Sequence, residues 1–146
     1  MPERHDVKVF VRIRPLVGEE VKRGDTEVSY DVEGGETQTV SFKGTLRNRP
    51  KTWHMGGMAG VMAQTALNRQ VYDASVSPLI PSIVEGDTAC CFCYGHTGAG
   101  KTHTVMGYRG EPGLYSLAAA DLCHAIGQKN AGLLLQIRFA EIYNGK

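Results

Sequence analysis

Gly95-His96-Thr97-Gly98-Ala99-Gly100-Lys101-Thr102 is the stretch whose residue types and spacing can do chemistry. It satisfies the phosphate-loop pattern of a glycine, four free positions and then Gly-Lys-Ser/Thr. Gly95, Gly98 and Gly100 open backbone conformations closed to residues with a Cβ, so successive N–H groups can turn inward toward phosphate oxygens. A helix starting at about Gly100 adds its positive end. Lys101 is then expected to set an ammonium against the β/γ-phosphates, and the Thr102 hydroxyl to ligate a Mg²⁺ that keeps most of its waters. The chemistry is that of a nucleoside triphosphate site. The bare pattern arises by chance in roughly one of a few hundred chains of this size, so the flanking elements matter.

Such a loop must sit between a buried strand and a helix. Thr88-Ala89-Cys90-Cys91-Phe92-Cys93-Tyr94 is an apolar run of strand length, and Thr102 to Met106 can continue as helix. Tyr94 is expected to be packed rather than catalytic. Cys90, Cys91 and Cys93 lie too close together for a CxxC metal knuckle, and with Cys123 they are expected to be buried and reduced. Upstream, Tyr72, Val76, Leu79, Ile80 and Ile83 share one helical face; Pro78 and Pro81 should kink or divide that helix, and Glu85-Gly86-Asp87 should end it. Val7 to Ile13 alternates as a first strand that Arg14-Pro15-Leu16 stops. Glu27–Asp31 and Gln38–Phe42 read as a polar hairpin, with a short strand at Thr52–Met55. Gly56 to Gly60 is too rich in glycine for regular structure. Downstream, Leu114, Leu117, Ala118, Leu122, Ala125 and Ile126 predict a helix capped by Gly127, and Leu133 to Tyr143 predicts a strand. Helix, strand, loop, helix is an α/β arrangement.

With 146 residues and 42% apolar content the chain has the size and core-forming capacity of one ordinary domain. It has no apolar run long enough to span a membrane and no signal-peptide core near the N-terminus, so a cytoplasmic location is the default expectation. Sixteen basic and 15 acidic residues leave a net charge of +1, which reveals no nucleic-acid or other polyanionic partner. Arg47, Arg49 and Lys51 form a small basic cluster, read first as a solvated loop.

Four segments in one order make the chain resemble the kinesin motor domain: KVFVRIRPL at the first strand, RQVY in the first helix, FCYGHTGAGKTHTVMG at the loop and EIYNGK at the end. The resemblance implies a P-loop NTPase fold, a central and mostly parallel sheet flanked by helices, present in part. It further implies ATP and Mg²⁺ as ligands, microtubules (tubulin) as partner, and the microtubule cytoskeleton as place of action. Residue by residue, it puts the adenine pocket at Arg12, Arg14 and Pro15 with His103 on the opposite wall. His96 stands where the family commonly has glutamine, and Gly56 where it usually has aspartate. Lys146 precedes the family's serine-rich first switch, its Asp-Leu-Ala-Gly second switch and the main microtubule-binding helix. On this reading the chain is the N-terminal part of a motor domain, with neither hydrolysis nor independent folding expected of it. Gly113–Leu122 and Phe139–Lys146 look most like the internal-motor class, which depolymerises microtubule ends, although that class's Lys-Val-Asp is not found between Leu46 and Ala66. Two other classes are weighed against the motor: a different P-loop enzyme, disfavoured by the roughly 90 residues ahead of the loop, and a non-motor scaffold, disfavoured by the intact Lys101 and Thr102.

Overall fold

The computed structural model describes residues 7–25, 29–47, 49–129 and 132–142. Strand β1 (Phe10–Arg12) lies parallel to β5 (Gly60–Met62), with Phe10 opposite Gly60 and Arg12 opposite Met62. The pairing is prolonged by Ala59 N–H on Val9 O at 2.7 Å and Ile13 N–H on Met62 O at 2.9 Å. A side chain at position 60 would press on the Phe10 ring, whose Cδ1 is 3.0 Å from where a Cβ would stand. Parallel neighbours need a crossover connection, and this one contains a short helix α1 (Gly18–Lys22) and a three-stranded antiparallel meander, β2 (Ser29–Gly34), β3 (Gln38–Leu46) and β4 (Arg49–Met58).

Register divides the meander into faces. Tyr30, Phe42 and Trp53 form one row and Val32, Val40 and Met55 the next, both on the same side, with Val40 fully buried. The other side is polar: Lys43 Nζ donates to Asp31 at 2.6 Å, and Ser41 Oγ lies 2.8 Å from His54 Nδ1. The expected hairpin is therefore present but longer than its sequence signal. Of the strand expected at Glu27–Asp31, the first two residues lie outside the described residues. β4 also runs through Gly56 and Gly57, contrary to the loop expected there. A register shift between Gln38 and Val40 accommodates Gly57, whose φ is +75°. Arg47 and Arg49 stand exposed at the β3–β4 turn, and Lys51 lies 5.5 Å from the Trp53 ring.

The helices follow their apolar face closely. α2 (Asn68–Ser75) gives way to a 3-10 turn (Ser77–Leu79) and α3 (Ile80–Glu85), so Pro78 and Pro81 divide the run, each sitting at the first positions of a new segment. Gly86, with φ +109°, ends α3 as expected. Val71, Tyr72, Val76 and Leu114 form the core between α2 and α5 (Leu114–Lys129), with Met62, Leu117 and Ala118 packed against it. Tyr72 is fully buried and its hydroxyl donates to Asp121 at 2.7 Å; burial first, and that bond second, hold the hydroxyl protonated well above its usual range. α5 continues through Gly127 rather than ending there. An exposed glycine in a helix costs only about 1 kcal/mol, and Lys129 Nζ donates to Val84 O at 3.1 Å, tying the last turn to α3.

Two expected strands are not formed among the described residues. Residues 88–94 and 132–142 are extended or irregular and pair with no strand, leaving Phe92 77%, Tyr94 96%, Leu134 96% and Phe139 74% exposed. The expected buried cysteines are likewise corrected: Cys90, Cys91 and Cys123 are exposed, and Cys93 is half-buried with its thiol pushed up by burial. Tyr94 is not packed. Tyr143, the last residue of the expected strand, lies outside the described residues.

Candidate nucleotide site

The loop Gly95–Gly100 leads into α4 (Lys101–Met106). Gly98 and Gly100 take the left-handed region, at φ +83° and +95°, and Gly100 is the residue before the first helical turn. At these positions a side chain would strain the backbone. Ala99 N–H closes a turn onto His96 O at 3.1 Å, and the His96 ring is exposed, with Nδ1 2.5 Å from Thr97 O. The decisive side chain is Lys101. Its ammonium folds back over the loop and donates to Gly95 O at 2.7 Å and His96 O at 2.9 Å. An ammonium has three donors, so a cation is held at the mouth of the loop. Thr102, on the first turn of α4, is exposed. The residue set fits phosphate and a hard cation: a glycine loop, an inward ammonium and a free-standing hydroxyl.

β1 brings two arginines to the same end. Arg14 lies with its side-chain carbons over Gly100, Cδ 3.7 Å from where a Cβ of residue 100 would be, and its guanidinium donates to Glu20 of α1. Glu20 also accepts Val17 N–H at 2.9 Å, so one carboxylate both caps α1 and orients Arg14. The bond from Arg14, then that from Val17, hold the Glu20 carboxyl below its ordinary value of 4.5. A carboxyl depressed on folding contributes stability that is present above its unfolded pKa and lost as pH falls through the folded one. Followed by NMR, Glu20 is therefore expected to protonate below 4.5 and Arg14→Ala to bring its midpoint back up toward the ordinary range; an unmoved midpoint would remove Glu20 as the partner of Arg14.

Arg12 points inward. Its Nη1 donates to Asn68 Oδ1 at 2.5 Å and Thr104 Oγ1 at 2.8 Å, and its Nη2 to Ala66 O at 2.8 Å. Burial lowers the guanidinium pKa, opposed by the charge of Glu111. His103 is half-exposed, its Nε2 3.7 Å from Glu111 Oε2 and its ring 6.0 Å from that of Tyr108. Pro15, the residue after Arg14, is exposed. The structure thus brings Arg14 onto the start of α4 and joins Arg12 to the His103–Thr104 turn through Asn68; no contact of Pro15 with the loop is described.

Residues that the motifs did not flag complete the arrangement: Glu20, Asn68, Thr104 and Glu111. A signal existed for Asn68, which precedes Tyr72 and Val76 at the same four-residue spacing and so places an amide on the buried face of α2.

A family model described as Kinesin motor domain matches residues 12–146. The chain is 38% identical over 148 residues to Kinesin-like protein KIF24 of Mus musculus, covering 99% of this chain and 11% of that protein. It is 34% identical over 142 residues to Kinesin-like protein KIN-7D, chloroplastic, of Oryza sativa subsp. japonica, covering 97% and 13%. Among solved structures, KIF14 with ADP in complex with a microtubule superposes with a TM-score of 0.68 at 28% identity over 87% of this chain and 35% of that one. The motor domain of the Kar3-like kinesin from Ashbya gossypii gives 0.70 over 84% and 38%, and at 21% identity speaks for the fold alone. The chain therefore spans about an eighth of those curated relatives and about a third of those solved chains. Sequence and fold agree, and the chain belongs to the kinesin motor-domain family.

Proposed function

We propose that residues 95–102 hold the triphosphate of ATP and that the chain is the ATP-binding, N-terminal part of a microtubule-dependent motor ATPase. The observation that carries this is the Lys101 ammonium poised over the loop on Gly95 O and His96 O. Phosphate oxygens can take over those two bonds, and the loop then presents its N–H groups to the same anion. Arg14 over Gly100 and His103 on α4 would flank the base, with Pro15 at the rim; Arg12 supports this wall from within. Mg²⁺, when bound, would be held by the Thr102 hydroxyl and would neutralise charge developing on the phosphates.

Microtubules are the proposed partner because a relative of this fold is seen on one, and the microtubule cytoskeleton of the cytoplasm is the proposed place of action. Residues 88–94 and 132–142 are apolar, unpaired and of strand length. That fits a motor domain in which further strands pair with both, and in which hydrolysis needs groups beyond this stretch. Within the family two finer readings stand: depolymerisation, for the internal-motor likeness of Gly113–Leu122 and Phe139–Lys146, and movement along the microtubule, for the absence of that class's Lys-Val-Asp between Leu46 and Ala66.

ATP hydrolysis by the full-length protein, measured with and without microtubules, tests the reading. A rate raised at least about tenfold by microtubules, well above the noise of such assays, is expected. A rate that ignores them would leave a nucleotide-binding scaffold. Shortening of stabilised microtubules, as against gliding, separates depolymerase from stepping motor.

A further inference from the structure

The best-buried polar side chain outside the loop is Asn68, with no exposed surface. Its bonds all lead to the proposed site. Nδ2 donates to His103 O at 2.9 Å and Pro112 O at 3.1 Å, Oδ1 accepts from Arg12, and the backbone N–H donates to Glu111 Oε1 at 2.5 Å. His103 O is a carbonyl of the last turn of α4; it accepts the helix-closing bond from Gly107 N–H, and Asn68 Nδ2 takes its second lone pair. Pro112 closes the two-residue hairpin, β6 (Gly107–Tyr108) and β7 (Glu111–Pro112), that separates α4 from α5. One amide thus locks together the end of β1, the far half of α4 and this hairpin.

We propose that Asn68 is a positioning residue for the base side of the nucleotide site, fixing His103 at one distance from the β1 end that carries Arg14. This rests on the nucleotide reading above. The phosphate cradle is closed by its own backbone turn and by Lys101, none of which touches Asn68. The base walls are separate pieces of chain, His103 on α4 and Arg14 two residues beyond Arg12, and Asn68 bridges them. Loss of the amide removes its bonds to the His103 and Pro112 carbonyls and to Arg12 Nη1 together, leaving His103 O with Gly107 N–H alone. Base recognition should loosen while phosphate binding stays.

The test is calorimetric titration of the full-length protein with Mg-ATP and, separately, with inorganic tripolyphosphate, which has no base. In Asn68→Ala the affinity for Mg-ATP is expected to fall about tenfold, the scale of one or two lost buried hydrogen bonds. Affinity for tripolyphosphate is expected to stay within about twofold, the ordinary scatter of a site not directly touched. Asn68→Asp, which keeps the oxygen facing Arg12 but turns an acceptor toward two carbonyls, should behave like Asn68→Ala. Equal losses for both ligands would make Asn68 a fold residue only and overturn the proposal, as would no loss for either. Should Asn68→Ala fail to fold, Thr104→Val decides: it keeps the volume and removes the hydroxyl that takes the other bond from Arg12 Nη1, and although the hydroxyl's 3.2 Å bond to Gly100 O goes with it, Thr104 N–H still holds that carbonyl at 3.0 Å. It is expected to lower Mg-ATP affinity about threefold at constant tripolyphosphate affinity, the scale of a single modest hydrogen bond, and an unchanged ratio overturns the proposal. Tripolyphosphate that fails to bind wild-type protein, or that binds Lys101→Ala equally well, refutes the nucleotide reading itself; the ratio in the Asn68 variants refutes only the positioning.

Discussion

Lys101→Ala is expected to weaken Mg-ATP binding by the full-length protein by about a hundredfold and to abolish hydrolysis. A charge-assisted hydrogen bond contributes about 1.5–3 kcal/mol, and loss of a cation facing a polyanion reaches the upper end of that range. The structure adds a second effect. Lys101 already bonds Gly95 O and His96 O, so its removal leaves those carbonyls unbridged and the loop less ordered before any ligand arrives. Lys101→Arg should rescue little, because a planar fork does not replace a compact ammonium at the mouth of so tight a turn. Calorimetry on the three proteins checks this; an affinity for Lys101→Ala within about threefold of wild type, comparable to the loss of one weak bond, would refute the assignment of the loop.

The second large effect concerns the fold that holds the site. Gly113→Ala is expected to destabilise the protein by more than about 3 kcal/mol, the range of overpacking against rigid surroundings. A Cβ there would stand 2.2 Å from Val105 O, 2.4 Å from Gly107 N and 2.4 Å from the Met106 carbonyl carbon. All three are backbone atoms and cannot swing aside. The crowding arises because the β6–β7 hairpin returns the chain onto the end of α4, and Gly113 is the buried point of closest approach before α5 begins. In the same experiment Gly127→Ala, in open space on α5, should be stabilising by about 0.5–1 kcal/mol. Thermal unfolding of both variants reads this: a melting temperature lower by about 10 °C for Gly113→Ala is expected, and equal behaviour of the two glycines would mean the hairpin does not close as described.

Local physics explains which parts of this architecture can be read from sequence. The turn at residues 95–100 is legible because glycine spacing determines its backbone and the lysine that follows determines its charge. The face Tyr72-Val76-Leu79-Ile80 is legible because a helix contains its own hydrogen bonds, and Pro78, Pro81 and Gly86 act within one turn of where they stand. Residues 88–94 are different. Their apolar character reports a strand's surroundings, while a strand's hydrogen bonds come from other segments, and no described segment supplies them. Gly56 and Gly57 mislead in the opposite sense: intrinsically poor strand formers, they sit in β4 at its register shift, carried by the pairing of Met55 and Met58 on either side with Val40 and Gln38 of β3. Asn68 was hidden by its type. An asparagine at a helix start reads as an ordinary boundary residue, and only its four-residue step to Tyr72 shows that it faces inward.

The same division explains the site. Lys101, Thr102 and the glycines announce themselves, whereas Glu20 and Asn68 act by holding Arg14, Arg12 and the α4 carbonyls, contacts made across 6 and 56 residues of sequence in the two arginine pairs. Motifs show the groups that would touch the ligand; the groups that aim them become visible only in the folded chain.

The measurement that bears most directly on the central claim is a titration of the wild-type full-length protein with ATP in the presence and in the absence of Mg²⁺. The structure leads one to expect saturable binding with Mg²⁺ at micromolar concentrations or tighter, about −8 kcal/mol, weakened when Mg²⁺ is withdrawn or Thr102 is changed to alanine. Absence of saturable binding up to millimolar ATP, with the protein shown to be folded, would contradict it.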